Sequence, residues 1–127
     1  MLRGFLRVAV LLGALAVILG AFASHVLKDM LSEKSIAIFE TAVRYQFYHV
    51  FALMLTAILY KENPSSKLIW SCRLFLSGIF IFSGSLYLLA FLLPDFSFIG
   101  AITPIGGTCF ILGWLMLFWG LLKQGLN

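Results

Sequence analysis

Four long apolar blocks dominate the chain, at about residues 5–27, 42–60, 68–93 and 104–122. A helix rises about 1.5 Å per residue, so each block is long enough to cross a hydrocarbon core of about 30 Å. The connections between them are too short to hold a soluble domain. With 62% hydrophobic residues and only nine basic and five acidic side chains in 127 residues, the polar skin that a soluble domain of this size requires is missing. The expected fold is therefore all-α, an integral membrane four-helix bundle forming a single domain over residues 1–127.

The formal net charge of +4 does not point to nucleic acid. The basic residues are scattered, and most stand at block ends, where lysine and arginine anchor helices to headgroups. The lipid bilayer is the expected partner, with a homo-oligomer or a larger membrane complex possible and no nucleic acid. Two cysteines make no disulfide framework. Cys72 falls near one face and Cys109 most of the way to the other, too far apart to bond. Arg3 and Arg7, an apolar stretch and "AFA" before Ser24 match a signal peptide with an Ala-x-Ala cleavage site.

Between the first two blocks, "KDMLSEKSIAIFE" is polar, and Ser32 followed by Glu33 reads as a helix N-cap. Leu31, Ile36, Phe39 and Val43 recur at helical spacing, which predicts an amphipathic segment over about 31–41 lying on the membrane surface. Glu40 and Arg44, four apart, are placed to pair. "KENPSSK" is a turn. "PDFSF" closes the third block. In "TPIGG", Thr103 reads as an N-cap and Pro104 as the first helical residue. Four spans put both ends on one side, together with Arg3, Arg7, Lys61, Lys67, Arg73 and Lys123, against Lys28, Lys34 and Arg44 opposite. The positive-inside rule makes that side cytoplasmic, and Tyr60, Trp70 and Trp119 beside the same anchors fit an aromatic belt.

Counting inward from these anchors gives depths. His49 lies about 18 Å from Lys61 and Tyr45 about 24 Å. Ser83, Ser85 and Tyr87 lie about 15, 18 and 21 Å from Arg73, and Thr108 and Thr103 about 22 and 30 Å from Lys123. Polar side chains from three helices thus gather in the outer half. Tyr45, Gln46 and His49, spaced three and four apart, are expected on one inward face, since polar groups facing lipid cost several kcal/mol each. Ser83 and Ser85 are the expected partners at matching depth, with Ser85 or Tyr87 bonded to His49. Gly106, Gly113 and Gly120 repeat every seven residues in the fourth block, as do Gly13 and Gly20 in the first. Such stripes let helix backbones approach closely.

"GAFASH" (20–25), "YQFYH" (45–49), "FSGSLY" (82–87), "ITPIGG" (102–107) and "GW" (113–114) resemble, in that order, the motifs of the YgdD-like family. These are small bacterial inner-membrane proteins of unknown function, with a eukaryotic relative. The resemblance spans nearly the whole chain. It implies four transmembrane helices, a bacterial inner-membrane location and retention of "GAFASH". It makes His25, Tyr45, Gln46, His49, Ser83, Ser85, Tyr87, Thr103 and Pro104 family-type positions. The family more often has Gly-Ala before the histidine, where this chain has Ala23-Ser24. No substrate or reaction comes with the resemblance.

An ionisable group inside a membrane is a functional candidate, because a charged imidazole in hydrocarbon is expensive. The plainer reading of His49 is a neutral, hydrogen-bonded ring that sets helix register. His25, about 27 Å from Arg7, reads as a wet interfacial histidine. The two differ in depth by about 9 Å, too much for both to ligate one haem, and neither cysteine is spaced for zinc. No cofactor is expected. Proton-coupled export calls for a buried carboxylate, but Glu40 falls at the outer edge and Asp95 in a loop. A serine hydrolase calls for an acid behind His49, which is not present. Thr103 at a helix start could hold an anion, though a cap is the simpler role. Two functions stand: a non-enzymatic packing or accessory subunit, or a small carrier or channel with a wet outer pocket around His49. A dry cluster favours the first and a solvent pocket the second.

Overall fold

The computed structural model describes residues 2–122, so the expected anchor Lys123 lies outside the described residues. Helix α1 spans Leu2–His25 and is followed by a 3-10 turn at Leu27–Asp29. Helix α2 runs Glu33–Glu62. The third apolar block contains α3 (Ser66–Gly78), a π-helical turn (Ile79–Ser83) and α4 (Gly84–Leu92) without a break. A 3-10 turn at Ser97–Ala101 leads to α5 (Thr103–Leu122). Among the described residues four helices are thus long and apolar enough to cross a membrane, and the fold is an all-α, four-helix membrane bundle.

The surface segment expected over 31–41 is absorbed into α2. Ser32 caps the helix by accepting from the Ser35 amide at 3.1 Å. The spacing of Ile36, Phe39 and Val43, read as a membrane-surface stripe, instead faces inward. Phe39 is buried against Tyr87 and Phe91 of α4, with ring centroids 4.9 and 6.1 Å away. Arg44 turns to Thr41 Oγ1 at 3.1 Å where Glu40 was expected. Thr103 is the first residue of α5 rather than its cap.

The helices pack in chain order: α1 on α2, α2 on α3 and α4, and α5 along α3 and the π turn. Leu11, Ile18, Phe51, Phe80, Ile111 and Phe118 are exposed around the outside, as lipid-facing side chains are. One core cluster includes Leu53, Leu68 and Phe75, and a second, nearer the start of α2, includes Leu27, Phe39 and Ala90. Lipid tails are as apolar as these side chains, so close packing and hydrogen bonds must hold the helices together.

Close approach is concentrated where α5 meets the third span. A methyl on Gly106 would collide with the Phe82 backbone. On Gly113 it would come within 2.7 Å of the Phe75 ring, and on Gly120 within 2.8 Å of Leu68. Gly78 completes the set from the other helix, with the Phe110 ring lying against it. Gly13 and Gly20 differ. Methyls there would rest 3.5 Å from Val50 and Val43, an ordinary contact, so the α1–α2 seam does not require glycine.

Candidate functional site

Helix α2 carries Tyr45, Gln46 and His49 in the middle of the bundle, the last two buried and Tyr45 exposed, and they diverge. Tyr45 and His49 share a side, with rings stacked at 6.1 Å, and face α5 and the π turn. Gln46 points toward α1 and α4 instead. The single inward face expected for the three residues is therefore not formed: His49 and Gln46 turn inward to different partners, and Tyr45 is exposed at the bundle's edge. Residues three and four apart are neighbours on a helix, but in a bundle each side of such a stripe meets a different partner.

His49 is 5% exposed. Its Nδ1 lies 2.8 Å from the Tyr45 carbonyl and its Nε2 3.1 Å from the Trp114 indole Nε1. A carbonyl can only accept and an indole N–H can only donate. The ring is therefore the neutral tautomer with its proton on Nδ1. Phe110 stacks on it at 3.5 Å between centroids and 8° between planes, and Phe75 packs at 5.7 Å. Gly78 and Gly113 create the space for these two rings. Trp114 and Phe110 were missed as partners. The signal for Trp114 was its position: an indole in the interior of a span, away from the interfacial belt, needs an acceptor nearby.

Gln46 is 2% exposed and joins three helices. Its Nε2 donates to the Leu12 carbonyl of α1 at 2.7 Å, and its Oε1 accepts from the Tyr87 hydroxyl of α4 at 2.6 Å. The carbonyl at Leu12 fixes which end of the amide carries nitrogen.

The serines bond elsewhere than to His49, contrary to expectation. Ser83, delivered by the π turn, donates to the Ala42 carbonyl of α2 at 2.8 Å. Ser85 Oγ donates to the Phe82 carbonyl at 2.9 Å, which leaves the Thr103 hydroxyl to donate to it at 2.7 Å. Thr103 thus clasps α4 to α5. Below this level Ser71 donates to the Gly113 carbonyl at 2.7 Å. The depth estimates assigned these groups a common level but not a direction around each helix axis, and direction decides who bonds to whom. His25 stands exposed at the end of α1, apart from the network.

Chemically, His49 has both nitrogens engaged and neither serine within its bonding set, so this arrangement assembles no activated nucleophile. A small apolar cavity of about 10 Å³ lies among Leu2, Phe5, Ala57, Tyr60, Ile69 and Cys72, away from the imidazole. Both cysteines are free thiols.

A family model described as "Protein of unknown function (DUF423)" matches residues 19–107. The chain is similar to a "UPF0382 membrane protein" of Staphylococcus epidermidis, with 44% identity covering 93% of this chain and 98% of the relative. A "UPF0382 membrane protein" of Haemophilus influenzae is 40% identical, covering 94% of each chain. The "UPF0382 membrane protein YwdK" of Bacillus subtilis is 38% identical, covering 88% and 94%. No solved structure matches.

Proposed function

Given that the chain belongs to the DUF423 family of proteins of unknown function, we propose that it is a non-enzymatic membrane subunit that packs against itself or a larger complex. The observation that carries this reading is how the buried polar groups are used. Trp114 to His49, Tyr87 to Gln46, Gln46 to Leu12, Ser83 to Ala42 and Ser71 to Gly113 are all bonds between helices. Such bonds define helix register in a medium without a hydrophobic driving force. They leave the imidazole dry, whereas a carrier would need water to reach it.

The likeness of "YQFYH" and "FSGSLY" to YgdD-like proteins supports a bacterial inner-membrane location. Cytoplasmic placement of both termini is supported by the grouping of Arg3, Arg7, Lys61, Lys67 and Arg73 at one end of the bundle.

Diethyl pyrocarbonate treatment of the reconstituted protein, followed by peptide mass spectrometry, tests dryness. The expected result is modification of His25 and protection of His49. Equal modification of both replaces this reading with the carrier. Native mass spectrometry from mild detergent tests association. A complex with a second copy or another membrane protein supports the reading, and a lone monomer that carries solute flux in vesicles overturns it.

A further inference from the structure

Where α2 begins and α4 ends, the structure holds a groove of about 410 Å³ that is independent of the His49 network. Its polar side is the first turn of α2. Ser32 takes up the amide of Ser35 through its hydroxyl and that of Ile36 through its carbonyl, so the Glu33 and Lys34 amides point out of the helix end. Lys34 lines the same groove. So does Ser35, which is 5% exposed and whose hydroxyl has no hydrogen-bond partner among the described residues. A buried hydroxyl without a partner is unusual in a chain that pairs its other buried hydroxyls and amides. The groove's remaining walls are apolar, from Met30, Phe91 and Leu93. Glu33 and Glu40 line the neighbouring groove with Lys28.

We propose that this groove binds an anionic phospholipid, with its phosphate at the α2 N-terminus between Lys34 and the Ser35 hydroxyl, and its acyl chain along Met30, Phe91 and Leu93. A helix N-terminus attracts anions through its outward amides and its dipole. The lysine adds charge, and the serine gains the partner it lacks. The apolar wall selects a lipid over a free anion. The groove lies where the membrane spans end, at the level of headgroups.

The test is native mass spectrometry of the full chain in neutral detergent, titrated with phosphatidylglycerol, diacylglycerol or inorganic phosphate. Phosphatidylglycerol is expected to bind, with affinity about tenfold weaker in Ser35→Ala and in Lys34→Gln, as the loss of one charge-assisted hydrogen bond implies. Ser35→Ala removes no internal bond, so its melting curve is expected to match the wild type, which separates binding from folding. Equal binding of diacylglycerol, displacement by an equal concentration of inorganic phosphate, or unchanged binding by both variants overturns the proposal.

Discussion

Trp114 of α5 donates its indole proton to Nε2 of His49 on α2 over 3.1 Å, with Phe110 stacked beneath the imidazole. This contact joins two helices whose backbones otherwise meet little, since α5 lies mainly along α3. This bond and the Phe110 stack together orient the α5 face toward α2. Removal of the imidazole leaves a donor without an acceptor.

His49→Leu is expected to lower stability by about 1–2 kcal/mol, because the indole N–H loses its partner within the bundle. His25→Leu, at an exposed helix end, should stay within about 0.5 kcal/mol of the wild type. Unfolding in mixed detergent micelles measures both. Equal effects would contradict the burial assigned to His49. Trp114→Phe should cost about as much as His49→Leu, and the double substitution less than the sum.

The imidazole tautomer is open to direct observation. Selective ¹⁵N labelling should show His49 with a protonated Nδ1 and an unprotonated, hydrogen-bonded Nε2. The opposite tautomer would mean that the indole bond is absent.

Tyr87→Phe strands the Gln46 carbonyl oxygen inside the bundle. The expected cost is about 1 kcal/mol, and the Gln46–Tyr87 coupling in a double-mutant cycle should fall at about 0.6–1.7 kcal/mol. A coupling of zero would show that the 2.6 Å contact does not stabilise the bundle.

The glycines should separate into two classes. Gly106→Ala and Gly113→Ala force α5 away from Phe82 and Phe75, at a cost of about 1–3 kcal/mol. Gly13→Ala and Gly20→Ala meet only Val50 and Val43 at contact distance and should be neutral or stabilising, since alanine is the better helix former. Thermal unfolding of the four variants separates these outcomes.

Phe39→Ala tests where α2 begins. Removal of a ring buried against Tyr87 and Phe91 should cost about 3–5 kcal/mol. A segment lying on the membrane surface would show no such loss.

Much of this architecture could be read from residue order. The four apolar blocks gave span number and approximate limits, because crossing a bilayer depends mainly on length and apolarity. The Ser32 cap was legible because capping is local. The 31–41 stripe was misread because helical periodicity identifies an apolar face without saying whether lipid or Tyr87 covers it. The partners of His49, Ser83 and Ser85 were hidden for a related reason. Depth along an axis follows from counting, but azimuth depends on neighbouring helices. Azimuth also depends on a departure from 3.6 residues per turn that no residue in "GIFIFSG" announces.

That departure bears on how the third span tolerates insertion and deletion. The widened turn at Ile79–Ser83 accommodates surplus chain, and everything after it is phased accordingly. Excision of one residue there would let the turn close to an ordinary α-helical one with the distal half still in phase, whereas excision from a regular turn of α3 would swing that half by about 100° about its axis. In the latter case Tyr87 would leave Gln46 and Ser85 would leave Thr103, although neither side chain had been altered. A gap of one position is thus absorbed at Ile79–Ser83 but rewires the bundle when it falls in regular helix, whereas the same gap in the connection at 63–65 shortens a loop.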